Sequence, residues 1–322
     1  MALKKYFALI GIALFIFILL NINIPRLIEI FSQINLFYLF VVLVLVITAI
    51  ILKAFKWQQL IKAHGSQMSL KKCINFFLIG FFASVFTPAR AGDLLRVFYA
   101  GEEIKSKSTA FSSVVLDRII DIGILICLGV VSILVFSFLF GVVVLPLEVL
   151  FLGIFIFMIA VIVVMRQHYL KKLLKPLVNV LVPEKHKPKL AVSYNSFYDS
   201  LSITNKHRGL VVFSIFISLL SWFLVICMAY FLLLSLGVDN VPFYFMAIVV
   251  PIVTLIELVP ITISGLGTRE AAMLFVFSFY PISAETIVAY SLLYVTVSYW
   301  FMALIGAIVF STTKKHFSLD FF

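Results

Sequence analysis

Charge is scarce in this sequence. Only 12% of its residues are Asp, Glu, Lys or Arg, while 64% are apolar. A soluble domain carries about twice that share of charge, so a water-soluble fold is excluded. A mean hydropathy of +1.20 makes lipid the solvent of this chain. Cysteine is scarce as well. Cys73, Cys127 and Cys227 lie far apart in apolar runs with no CxxC spacing. That excludes a disulfide framework and leaves them as small packing residues. The five histidines fall in polar loops or near the terminus. The apolar segments therefore lack imidazole for metal binding or proton transfer. No nucleotide-binding loop and no alternating pattern of a β-barrel is present. No cofactor and no nucleic-acid partner are expected.

What is present is long apolar runs. A spanning helix needs about 20 apolar residues, and helix is the economical way to satisfy the backbone in hydrocarbon. The runs predict spans at about 6–23, 36–56, 119–140, 145–165, 209–236 and 286–311. Lys4 and Lys5 precede the first, which has no cleavage site and reads as an anchor. Two broken stretches, 73–103 and 242–280, lie between these spans. The expected fold is an all-α polytopic membrane protein of one domain. Its first half is 1–165 and its second 209–322, joined by a polar segment at 166–208. Within that segment, residues 169–181 alternate basic and apolar faces. They read either as an interfacial helix on an anionic leaflet or as a solvated basic linker. About 40 residues with so few core residues make no catalytic domain.

If each break enters and leaves by one face, both termini are cytoplasmic. The cytoplasmic side then holds 20 of the 25 Lys and Arg residues, Lys53 and Lys56 among them. This is a strong positive-inside bias. Three spans separate the breaks, so the first dips in from the cytoplasm and the second from outside. That inverted arrangement lets both meet near the midplane. The other reading makes each break a kinked spanning helix.

The breaks are built alike. Pro88 is followed by Gly92 and Arg96, and Pro260 by Gly265 and Arg269. Ionisable groups gather here and on the third span: Arg90, Asp93, Arg96; Asp117, Arg118, Asp121; Glu257, Arg269, Glu270. Charges in hydrocarbon face a partner or a cavity. Asp117 and Asp121, at i and i+4, share one helix face. They hold the arginines in a structural cluster, or poise them for an anionic head group, or bind a cation. Guanidinium matches phosphate in a fork that lysine lacks. Gly92, Gly265 and Gly267 permit positive φ and close approach to the backbone. A half-helix after such a turn aims N–H groups at an anion, with Thr268 as its cap. Glu148 sits near a span end and reads as interfacial.

The stretch from Pro88 to Arg96, then Asp117, Arg118 and Asp121, then Pro260 to Glu270 resembles, in this order, the lysylphosphatidylglycerol synthase transmembrane family, also called UPF0104. The likeness covers nearly the whole chain. It implies a flippase-like membrane domain, with Arg90, Gly92, Asp93, Arg96, Asp117, Arg118, Asp121, Gly265, Gly267 and Glu270 on the family's motifs. Asp93 and Asp117 stand where glutamate is more usual, and Ile263-Ser264 replaces a frequent Pro-Gly. The soluble aminoacyl-transfer domain of the synthases is absent from the 322 residues, so synthase activity is not expected. The leading expectation is a cell-membrane lipid translocase whose partners are membrane lipids with an anionic head group or a polyprenyl phosphate, supplied by a separate lipid-modifying enzyme. Arg90, Arg96 and Arg269 would hold the head group. A small-solute transporter and an intramembrane enzyme using Asp117 and Asp121 around Mg²⁺ are the competing readings.

Overall fold

The computed structural model describes residues 13–104, 106–143, 145–170, 172, 187–258, 262 and 265–313, and leaves out some side chains, Arg90 among them. No strand occurs among the described residues. Five helices are long and apolar enough to cross a bilayer: α3 (Leu36–Ala63), α6 (Lys107–Phe140), α7 (starting at Leu147 and ending at Met165), α9 (Arg208–Ser235) and α12 (Ala284–Thr312). A sixth candidate is the pair α1 (Ala13–Leu20) and α2 (Ile24–Ser32). The chain is an all-α polytopic membrane protein. The pair bends by 88° at a break, where Asn23 caps α2 and Pro25 sits in its first turn. The anchor expected at 6–23 therefore turns sharply at its end, and its first residues lie outside the described chain.

α3 and α9 run antiparallel. Tyr38 packs on Phe231 at one end and Phe55 on Phe213 at the other. The Asn35 N–H donates to the Ser235 carbonyl at 2.8 Å.

The first broken stretch is a hairpin. α4 (Leu70–Val85) ends because Pro88 follows. A residue before proline is driven to extended backbone, and Thr87 sits at φ −117°, ψ 139°. A 3₁₀ turn (Pro88–Leu94) then leads into α5 (Leu95–Glu103). Thr87 Oγ accepts the Gly92 N–H at 2.7 Å and ties the turn. Lys72, at the start of α4, pairs with Glu103, at the end of α5, at 2.5 Å. The segment thus leaves beside the place where it entered.

The second stretch does the same. α10 (Phe243–Leu258) and α11 (Thr268–Phe277) flank the break. The Phe245 and Phe277 rings stand 5.7 Å apart, so the open ends meet. Gly265 (φ 75°) and Gly267 (φ 82°) make the positive-φ turn before α11.

α6 shows how the hairpins face. Its 34 residues extend about 51 Å. The first hairpin opens at its N-terminal end, where Gly101 abuts Lys107. The second opens at its C-terminal end, where Phe140 packs on Phe245, Phe279 and Tyr280. The two hairpins therefore insert from opposite ends of one spanning helix.

Two boundaries differ from expectation. α6 begins at Lys107 rather than 119, because the polar first turns are capped by Ser106 and covered by α8 (Lys187–Thr204). Asp117, Arg118 and Asp121 are thus well inside the helix. The segment after α7 is not all linker. α8 docks on α6 through Phe197 against Phe111 and a Thr109–Ser200 hydroxyl contact of 3.2 Å. Most of residues 169–181 lie outside the described residues.

Candidate functional site: a cavity between two hairpins

Two buried charge clusters brace the hairpins. In the first, Arg96 is completely enclosed. Its Nη2 reaches Asp117 Oδ2 at 2.6 Å and Asp93 Oδ2 at 2.9 Å. Its plane lies 4.7 Å from the Trp57 ring and 5.8 Å from Phe77, where a cation meets the negative face of the π system. Arg118 holds the same Asp93 oxygen through Nε at 2.7 Å and through Nη2. Lys56 completes the cluster, with Nζ 2.8 Å from Asp117 and 2.5 Å from Asp121. Ser218 of α9 donates to Asp121 at 2.6 Å. Three cations and three carboxylates so tie α3, the first hairpin, α6 and α9 together.

Sequence reasoning placed Lys56 at the cytoplasmic surface. The structure buries it, because Trp57 to Ala63 continue the helix on a packed face. Its signal was the tryptophan directly after it and the apolar pair Leu60 and Ile61 one turn on. Tyr299 and Ser218 were missed because a tyrosine or serine in an apolar run carries no mark of its partner.

In the second cluster Arg269 is buried. Its Nη2 is 2.7 Å from Glu270 Oε1, its Nε 3.1 Å from Ser291 Oγ, and its Nη1 3.4 Å from Glu257 Oε1. Glu270 Oε2 accepts the Gly267 N–H at 2.6 Å. Glu257 Oε2 accepts the Tyr299 hydroxyl at 2.6 Å. Tyr299 lies on a π turn (Thr296–Phe301) that interrupts α12, a distortion frequent at functional sites.

Between the clusters lies a cavity of about 240 Å³. The first hairpin contributes Ser84 and Thr87, and the second contributes Thr254, Glu257 and Thr262. Arg118, Asp121 and Lys53 line it as well. Its depth follows from the long helices. α3 lines it with Leu45 to Lys53, α6 with Arg118 to Leu125, α9 with Ser218 to Met228 and α12 with Tyr294 to Met302. Each stretch is the middle of its helix, so the cavity sits at mid-bilayer depth.

The expected site residues divide. Arg118 and Asp121 line the cavity; Arg96, Asp117, Asp93, Arg269 and Glu270 are held in the clusters behind it. Arg96 and Arg269, expected to hold a head group, instead bind the chain's own carboxylates. The Arg90 side chain lies outside what is described. Gly92 has no positive φ. A Cβ there would stand 2.3 Å from the Ala83 carbonyl, so its close approach is to its own hairpin and not to a ligand. Gly267, not Thr268, caps α11, and the Glu270 carboxylate already occupies that end. Among the described residues no group of three His, Cys, Asp or Glu is arranged to hold a metal.

An α-helical membrane protein with two hairpins inserted from opposite ends onto a midplane cavity, whose mainly apolar lining carries a few charged and hydroxyl side chains, is the class defined here. The family model described as the lysylphosphatidylglycerol synthase TM region matches residues 7–306, and the chain belongs to that family. A UPF0104 membrane protein of Methanocaldococcus jannaschii is 26% identical over 321 residues, covering 92% of this chain and 91% of its own. One of Pyrococcus horikoshii is 22% identical, over 97% of this chain and 98% of its own. A third, of Methanothermobacter thermautotrophicus, is 22% identical over 83% of each. No solved structure matches the chain.

Proposed function

We propose that this protein carries a phosphate-bearing lipid between the leaflets of the cell membrane. The observation that supports it is the cavity: both hairpin tips line it, from opposite faces, at mid-bilayer depth. A head group held there is equally far from either surface, as alternating access requires. Arg118 is the contact to the phosphate. Its side chain is 33% exposed and both its bonded nitrogens share one Asp93 oxygen, leaving Nη1 for a ligand. Arg96 and Arg269 position the hairpins. The family's name, taken from a lipid synthase's membrane region, favours a lipid over a small solute.

The protein acts in this reading as a carrier rather than a catalyst. Asp117 and Asp121, the pair suited to Mg²⁺, are already held by Lys56 and Ser218. The basic loops support an orientation with both termini in the cytoplasm. Reconstitution with head-group-labelled lipids tests the proposal. The purified chain should speed transfer between leaflets over empty liposomes, and Arg118→Gln should remove most of the gain. No acceleration across phospholipid and polyprenyl-phosphate classes would refute it.

A further inference from the structure

The proposed substrate is larger than its site. A cavity of about 240 Å³ is smaller than the clefts that enclose a drug-sized ligand, which start at about 300 Å³. A head group fits inside it, and hydrocarbon chains do not. The cavity lies at mid-bilayer depth. A lipid whose head group sits there keeps its chains in the bilayer only if they leave sideways, between two elements of the wall.

Most of the wall is sealed. α3 and α9 pack on each other from Tyr38 and Phe231 to Phe55 and Phe213. α6 meets α10 so closely that a Cβ on Gly129 would stand 2.0 Å from Leu255, and Ser132 Oγ donates to the Ala247 carbonyl at 3.4 Å. α9 is tied to α6 by Ser218 on Asp121, and to α12 by the Tyr290 hydroxyl on the Ala229 carbonyl at 3.2 Å. The C-terminal half of α12 presses on α4, where a Cβ on Gly306 would stand 2.3 Å from the Leu78 carbonyl.

The seam at the hairpin tips is different. Both tips reach the π turn of α12, and Tyr299 touches each of them. Its ring lies 6.3 Å from Phe81 of the first hairpin, and its hydroxyl donates to Glu257 of the second at 2.6 Å. Trp300 follows on the lipid side. It is 53% exposed and meets Phe86, 59% exposed, edge to face at 6.1 Å. Among the described residues the wall is thin here. Val85 and Thr87, on either side of Phe86, line the cavity, as does Tyr299 beside Trp300. Leu258, at the end of α10, lines the cavity and is itself 41% exposed. The π turn breaks the regular helical ladder, so Trp300 stands where the backbone of α12 is irregular.

We infer that this seam is the portal for the lipid's hydrocarbon chains, which leave the cavity over Leu258, Phe86 and Trp300 while the head group stays on Arg118. The inference rests on the head-group site of the proposed function. All three portal side chains offer apolar surface to an acyl or prenyl chain. The Phe86–Trp300 contact shuts the seam when no chain lies in it, and parting the two rings opens it.

Disulfide locking tests it in the full chain, with Cys73, Cys127 and Cys227 replaced and head-group-labelled phospholipid in liposomes as the probe. Phe86→Cys with Trp300→Cys, once crosslinked, should carry the probe no faster than empty liposomes, and a thiol reductant should restore the rate. Phe55→Cys with Phe213→Cys, at rings 6.3 Å apart on the sealed α3–α9 seam, should carry it equally well crosslinked and reduced. A second readout needs no crosslink. Trp300→Ala widens the seam. It should raise transport of a probe with methyl-branched chains, relative to one with straight chains, by about tenfold, the low end of what one methylene decides in a fitted pocket. Phe213→Ala should leave that ratio unchanged. Undiminished transport by the first crosslinked pair, or equal loss in both pairs, overturns the inference and leaves the translocase proposal standing. An unchanged branched-to-straight ratio in Trp300→Ala does the same. No transport of any probe by wild type overturns both.

Discussion

At the scale of single residues, partner number separates bracing charges from available ones. Asp117 is buried between Lys56 and Arg96. Asp117→Asn leaves two buried cations short of a counter-charge, which costs about 3–5 kcal/mol. Arg118→Gln removes a cation that is one-third exposed, and Asp93 keeps Arg96 at 2.9 Å. Thermal unfolding in detergent should therefore show a large drop for Asp117→Asn and a small one for Arg118→Gln. An equal drop would make Arg118 another brace. His64, just beyond the end of α3, gives a pH effect. Its Nδ1 sits 2.7 Å from the Leu60 carbonyl, and burial holds its pKa below the ordinary 6.5. In the folded state it binds fewer protons than in the unfolded chain. Stability should be unaffected above about pH 6.5, fall as pH drops below it, and level off once His64 charges in place. His64→Gln should flatten that part of the Tm–pH curve.

At the scale of elements, close approach decides what a hairpin tolerates. A Cβ on Gly92 would meet the Ala83 backbone at 2.3 Å, which cannot yield. A Cβ on Gly129 would meet Leu255 Cδ1 at 2.0 Å, the end of a side chain that can turn aside. A Cβ on Gly153 meets nothing within 4 Å on α7, where alanine gains up to about 1 kcal/mol of helix propensity. Gly92→Ala should collapse the yield of monodisperse protein, Gly129→Ala should lower Tm moderately, and Gly153→Ala should keep or raise it. Size-exclusion profiles and melting curves check the order. The elements also show what was legible in the sequence. Pro88 and Pro260 with their glycines marked both breaks, and runs of apolar residues marked the long helices. Lys56 escaped, since a lysine near a helix end satisfies the positive-inside rule as well as a buried pair does. The role of Gly92 escaped too, because spacing from a proline does not say which backbone the glycine meets. The division of arginines into braces and a cavity contact depends on distances across helices far apart in sequence. Lys56 to Asp121 and Ser218 to Asp121 are such contacts.

At the scale of the whole molecule, the arrangement makes a claim about sidedness. The hairpins open at opposite ends of α6, the first beside Lys107 and the second beside Phe140. Ser106 and Ser283, just outside the respective open ends, must then face opposite compartments. The proposed orientation, with the basic loops inside, puts Ser106 on the cytoplasmic side. Moving Lys53 and Lys56 into the membrane leaves 18 of the 20 on that side, so the bias survives the correction. With Cys73, Cys127 and Cys227 replaced, Ser283→Cys should react with an impermeant maleimide in intact cells. Ser106→Cys should react only after permeabilisation. The reverse pattern would invert the orientation and leave the architecture intact. Labelling of both from one side would mean that one stretch crosses the bilayer, and the midplane cavity would lose the opposed entry on which a carrier depends.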